Sequence, residues 1–214
     1  MPAATQSGVA PDVKKLGIIA GGGSLPAKLA QACESRGIEI FIVALEGQTD
    51  PSLLAGRNHL LTRIGAAGQI IETLKFHEVR DLVLIGSVRR PGLAEMRPDL
   101  RAVRFFAQVG LRALGDDGLL KALKSELGRE GFRVRGVQEF IENLVAGAGP
   151  VGRVKPDNAS RTDIVRGFEV LRIMGPADVG QSVIVQENIV LGVEAAEGTD
   201  ELIGRCIAYK RGGR

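Results

Sequence analysis

The chain has no tryptophan, one tyrosine and only 4% aromatic residues. Proteins that hold single-stranded nucleic acid stack bases on aromatic rings, so nucleic acid is excluded as a partner. Cysteine is nearly absent too: Cys33 and Cys206 stand far apart. That spacing fits a reducing, cytoplasmic compartment and excludes a disulfide framework. Neither of the two histidines has a partner at zinc-ligand spacing, and no G-x-S-x-G elbow occurs, which disfavours zinc and serine-triad chemistry. No apolar run approaches the roughly 20 residues a bilayer crossing needs, and the start MPAATQSGVAPDVKK lacks the basic and apolar parts of a secretion signal.

What is present is ordinary for a cytoplasmic α/β protein: 44% apolar and 25% charged residues, with a net charge of +3. The 214 residues suffice for two modest domains. Residues 1–13 read as a disordered lead-in, 14–110 as a Rossmann-like parallel-sheet domain, and 111–214 as a second α/β domain. The stretch LGIIAGGGSLP, Leu16 to Pro26, organises the first of these. A short apolar strand ends in Gly21, Gly22 and Gly23, and Ser24 and Pro26 then open a helix from Pro26 to Ser35. Glycines let backbone approach a ligand, and the free N–H groups of a helix's first turn attract phosphate. A Walker loop is excluded, because no Gly-Lys-Ser/Thr follows.

The apolar run IEIFIVAL reads as a buried parallel strand ending at Glu46, which is either a ribose-binding acid or a loop carboxylate. HLLTRIG reads as a further strand, and AAGQIIETLKFHEV as a helix with His77 at its far end. Asp81 and LVLIG form the cleanest strand, which places Gly86, Arg89 and Arg90 at the same sheet edge as the glycine turn. The planar fork of at least one of these arginines is expected to meet phosphate oxygens.

Two helices follow over 100–131, with Asp116 and Asp117 either capping the second or holding a metal. FRVRGVQEFIENLV reads as a strand and a short helix. Thr162 is the expected cap of an amphipathic helix, and Gln181 sits in a turn before a hairpin through Glu187 and Asn188. That hairpin ends in Glu194, Glu197, Thr199 and Asp200, a polar run suited to acid/base or metal chemistry or to capping a helix from Glu201.

The pieces GIIAGGGSLP, IG..G.II..LK, LIGSVRRP, LGDDGLL, TDI..G, DVGQSVIV and VEAAEGTD occur in that order over nearly the whole chain. Together they resemble the glycine-turn family of UDP-2,3-diacylglucosamine pyrophosphatases of lipid A biosynthesis, which is unrelated to the calcineurin-like enzyme of the same role. The resemblance implies magnesium-dependent hydrolysis to UMP and 2,3-diacylglucosamine 1-phosphate, by water attack on the sugar-side phosphate. It also implies a Rossmann-like and a second α/β domain with the acylated sugar held between them. The family pattern continues beyond the equivalent of Arg214, through an Asp-Leu-Pro segment associated with carboxylate chemistry, so this chain is expected to represent the family without that segment.

On these readings the substrate is bound by Gly21, Gly22, Gly23, Ser24, Leu25, Pro26, Gly86, Arg89, Arg90, Gln181 and Thr199. Backbone N–H groups from Gly22 to Leu25 are expected to face the diphosphate. Asp117 and Glu194 are the expected magnesium ligands, and Asp200 and Glu197 the catalytic carboxylates. The expected partners are the UDP-linked diacylated sugar, transiently the inner-membrane surface, and a second copy in a homodimer. Two other readings stand beside this one. The turn and Glu46 suit an NAD(P)-dependent oxidoreductase, although Pro26 replaces the third glycine and the sequence lacks a catalytic Tyr-Lys or histidine constellation; a non-catalytic nucleotide-sugar binding module is the other.

Overall fold

The computed structural model describes residues 13–89, 96–109, 116–141, 144, 147–150 and 152–212. The chain divides into two compact units, Met1–Leu114 with Leu119–Ala146 and Gly115–Gly118 with Gly147–Arg214.

The first unit is built on a five-stranded, wholly parallel sheet: β1 (Lys15–Ala20), β2 (Glu39–Leu45), β3 (His59–Thr62), β4 (Asp81–Ile85) and β5 (Arg133–Val134). The strand order is β3-β2-β1-β4-β5. Side chains alternate across the sheet as strand geometry requires. Leu16, Ile18, Ile40, Ile42, Val83 and Ile85 face one core, where Leu29, Ala30 and Cys33 of α1 (Leu25–Glu34) cover them. Phe41, Val43 and Leu82 face the other, under Ile70, Ile71 and Leu74 of α2 (Ala67–Phe76). Burial on both faces explains why these strands read as unbroken apolar runs. Each large aliphatic side chain so buried contributes about 1.5–3 kcal/mol.

Between β4 and β5 lie α3 (Leu100–Val109) and α4 (Asp116–Arg129), the latter putting Leu127 into the second core. Because β5 pairs with β4 at Asp81↔Arg133 and Leu82↔Val134, the parallel sheet extends past residue 110, where the sequence suggests a boundary. The short helix expected after β5 is a single 3-10 turn, Val137–Glu139. Val13, expected within the lead-in, is buried in the first core, whereas residues 1–12 lie outside the described residues.

The second unit contains α5 (Asn158–Met174), a hairpin of β6 (Val183–Gln186) and β7 (Ile189–Val193), and α6 (Thr199–Cys206). Glu187 and Asn188 form the hairpin turn with φ of 53° and 63°, the left-handed pair that matches strand twist. Both turn N–H groups donate to the Asp163 carboxylate, at 3.1 and 2.6 Å, which ties the hairpin to α5. Thr162 is not the cap of this helix. Asp157 is, accepting from Ser160 N at 2.8 Å, so α5 starts a turn earlier than the sequence suggests.

Candidate active site

In a parallel sheet ordered 3-2-1-4-5, the strand order reverses between β1 and β4, and ligands bind outside the carboxyl ends of the strands at that point. The glycine turn sits there. Gly21 N–H donates to Ile85 O at 2.8 Å, Gly22 N–H to Ser87 O at 2.7 Å, and Ser87 N–H to Gly22 O at 3.0 Å. These bonds extend the β1–β4 pairing beyond the strands and pinch the two loops together. The Gly22 N–H, expected to face the ligand, is therefore already engaged, and so is that of Gly21.

Gly86 is required by the same pinch. Its φ is +99°, and a Cβ there would lie 2.6 Å from Gly22 O. A Cβ on Gly21 would collide with Ser87 O. These two glycines thus serve backbone-to-backbone packing, and the N–H groups without an acceptor among the described residues begin at Gly23.

Among the described residues nothing accepts a hydrogen bond from the N–H groups of Gly23, Ser24 or Leu25. Gly23 has φ +87°, which turns the chain out of β1 and into α1. Ser24 is the N-cap residue, yet its hydroxyl makes no capping bond, and Pro26 takes a first-turn position where its missing N–H costs nothing. The result is three unclaimed amide donors and one free hydroxyl at the positive end of a helix.

Arg89 lies on the β4 loop beside this turn, exposed, with no partner for its guanidinium among the described residues. Arg90 lies outside the described residues. Glu46 stands exposed at the carboxyl end of β2, and its N–H donates to Thr62 O at 2.9 Å.

Two residues that carried no signal in the sequence complete this edge. Thr49 Oγ1 accepts from Leu45 N at 2.8 Å and donates to Ala20 O at 2.6 Å, bridging the ends of β2 and β1. Gln48 Nε2 donates to Arg89 O at 3.0 Å while Arg89 N–H donates to Gln48 Oε1 at 2.7 Å. A glutamine and a threonine after a strand look like ordinary loop; only their partners across the sheet distinguish them.

In the second unit, Gln181, Glu194, Glu197, Thr199 and Asp200 come together around the start of α6. Glu194 is buried, at 6% exposure. Its carboxylate accepts from Thr199 Oγ1 at 3.0 Å and from Gln181 N at 3.2 Å. The Ser182 hydroxyl first, then these two donors, hold its carboxyl below the ordinary carboxylate value, against the opposing effect of burial. Glu197 is lowered as well, by its own backbone N–H first and then by Arg205, whose Nη2 donates to it at 2.8 Å. Gln181 and Thr199, expected to bind substrate, spend these donors on Glu194.

Magnesium takes oxygen ligands, and an N–H or guanidinium already aimed at a carboxylate oxygen competes with a cation for it. Glu194 and Glu197 therefore do not fit a magnesium site as arranged, and no cluster of three or more His, Cys, Asp or Glu that could hold a metal occurs among the described residues. Asp117 is the second residue of α4, and its side chain lies outside the described residues. Asp200, in the first turn of α6 beside Glu201, has no protein donor to its carboxylate among the described residues.

Residues 15–144 match the family model of the LpxI N-terminal domain, and residues 147–214 that of the LpxI C-terminal domain. The chain is 35% identical over 196 residues to the UDP-2,3-diacylglucosamine pyrophosphatase LpxI of Caulobacter vibrioides, covering 90% of this chain and 69% of that protein. Solved structures are more distant. The Bordetella bronchiseptica enzyme WbmG in complex with NAD is 17% identical, over 55% of this chain and 35% of that one, at a TM-score of 0.36. The biotin carboxylase domain of a thermophilic 2-oxoglutarate carboxylase bound to bicarbonate is 14% identical, over 76% of this chain and 41% of that one, at a TM-score of 0.27. Likenesses this slight bear on nothing further.

Proposed function

The chain belongs to the LpxI family, and from that premise we propose that it hydrolyses the diphosphate of UDP-2,3-diacylglucosamine to UMP and 2,3-diacylglucosamine 1-phosphate in lipid A biosynthesis. The observation that carries the reading at the level of residues is the run of unclaimed N–H groups at Gly23, Ser24 and Leu25. Oriented amides at a helix N-terminus stabilise phosphate charge without reorganising, which is what departure of a phosphate ester demands. The Ser24 hydroxyl and the Arg89 guanidinium add donors to the same anion.

Water attacks the sugar-side phosphorus, its oxygen forming the new P–O bond as the bond to the bridging oxygen breaks. UMP leaves with that bridging oxygen. Asp200 is proposed to accept the water's proton, as Glu194 and Glu197 are held by other donors. Magnesium is proposed as a cofactor from the family resemblance, and it would neutralise phosphate charge and acidify a bound water. The described carboxylates do not assemble ligands for it.

The two acyl chains need apolar cover. A groove of about 420 Å³ in the second unit supports that role, lined by Ile164, Phe168 and Leu171 of α5 and by Val183 and Val185 of β6. Gly167, facing both valines, keeps its floor open. No helix among the described residues is long and apolar enough to cross a membrane. A lipid-tailed substrate then requires a cytoplasmic protein to visit the inner-membrane surface, where excess positive charge helps near anionic headgroups. A homodimer remains part of the proposal.

The test is to incubate the protein with UDP-2,3-diacylglucosamine and magnesium and follow UMP. Release of UMP with the lipid monophosphate supports the reading, whereas substrate bound and recovered intact makes the chain a binding module.

A further inference from the structure

We infer that Gln48 is a positioning residue for the phosphate site: it fixes the backbone of Arg89 so that the guanidinium stands beside the glycine turn. The inference rests on the proposed phosphate cradle and extends it to a residue that touches no substrate.

The geometry is that of one rung of a β-ladder made by a side chain. The Gln48 amide is both donor and acceptor to a single residue, 3.0 Å to Arg89 O and 2.7 Å from Arg89 N. Reciprocal bonds to one residue's N–H and C=O fix the orientation of that peptide segment, which a single bond cannot do. Gln48 also touches the turn itself. Its carbonyl oxygen would lie 3.1 Å from a Cβ on Gly22, so its backbone packs on the turn while its side chain holds the β4 loop.

Its own position is set by Thr49, whose hydroxyl ties Leu45 N to Ala20 O, and by the Gln48 N–H, which donates to Leu45 O at 3.0 Å. Three strand ends are thereby joined: β1 through Ala20, β2 through Leu45 and the β4 loop through Arg89. The arginine gains from this because its side chain has no carboxylate partner among the described residues to hold it. Without such a partner, the direction of the guanidinium depends on where the backbone starts it. Gln48 supplies that start, and an arginine fork rewards correct placement because its bonds to phosphate are directional.

The test is a double-substitution cycle read by calorimetric titration with UDP, which carries the diphosphate without the lipid. Gln48→Met keeps side-chain length and removes both hydrogen bonds; Gln48→Asn keeps the amide but cannot reach, and serves if the first variant misfolds. Arg89→Ala is expected to weaken UDP binding by roughly 10-fold or more, and either Gln48 variant by about 5- to 10-fold, as for loss or misplacement of a charge-assisted phosphate contact. The double variant binds no more weakly than Arg89→Ala alone, because Gln48 acts through that arginine.

Turnover should show KM raised with kcat within about 2-fold, the sign of lost uniform binding. Unchanged UDP affinity in the Gln48 variants, or multiplied losses in the double variant, overturns the inference, as does an unmodified protein that fails to bind UDP. If the cycle behaves as expected while no UMP is released from the diacylated substrate, the positioning role stands and the hydrolase reading falls.

Discussion

The glycine turn of the first unit and the acidic corner of the second both gather polar groups where a strand meets a helix, but they hold them in opposite states. At the turn, the N–H groups of Gly21 and Gly22 are consumed by Ile85 at the end of β4 and by Ser87 just after it, and those of Gly23, Ser24 and Leu25 have no acceptor among the described residues. At the corner, the carboxylates are the groups consumed: Glu194 by Ser182, Thr199 and Gln181, Glu197 by Arg205. Polar density alone does not mark a reactive site. What distinguishes the regions is which groups the fold has already satisfied: among the described residues the N–H groups of Gly23, Ser24 and Leu25 have no acceptor, and Asp200, like Glu201 beside it, has no protein donor.

The sharpest way to break this contrast is Asp200→Asn. UMP release is expected to fall by about 100-fold or more, as for removal of a general base, with UDP affinity unchanged in the same titration. A normal rate would return the corner to a purely structural role. Next in size is Gly86→Ala. Its φ of +99° and the Gly22 carbonyl at 2.6 Å leave no room for a Cβ, so chemical denaturation should show a loss of at least about 2 kcal/mol.

The corner predicts an acid-side response that the turn does not. Because the Glu194 carboxyl lies below its ordinary value of 4.5 in the folded protein, the unfolded chain binds the proton more readily. The stability from Glu194 is thus fully present above that ordinary value and is lost as pH falls through it toward the lowered one. Glu194→Gln should flatten this slope in urea midpoints measured from about pH 6 to about pH 3, the span over which carboxylates titrate. The smallest effect belongs to Ser24→Ala. Since its hydroxyl caps nothing, melting should be unaltered while UDP binds about 3- to 5-fold more weakly, the scale of one hydrogen bond.

The sheet was legible because strands buried on both faces read as apolar runs, as IEIFIVAL and LVLI do. The start of α5 was not, since KPDNAS has the look of a loop until Asp157 is seen capping it. The glycine turn was legible as a phosphate motif, but the division of labour within it was not. That division depends on Ser87, more than sixty positions away along the chain, and local pattern carries no trace of such a bond. The burial of Glu194 was not legible for a related reason: its backbone packs against Gly180, where a Cβ would collide with it, and that contact lies fourteen positions away along the chain. Gln48 offered nothing at all, because its meaning lies wholly in Arg89.

The central claim is that backbone amides at the start of α1 hold the diphosphate. Titrating the ¹⁵N-labelled protein with UDP and following each amide tests it most directly. The largest shifts should fall on Gly23, Ser24 and Leu25, with Gly21 and Gly22 moving little because their N–H groups already have partners. Saturable UDP binding that leaves those three amides unmoved would contradict the account.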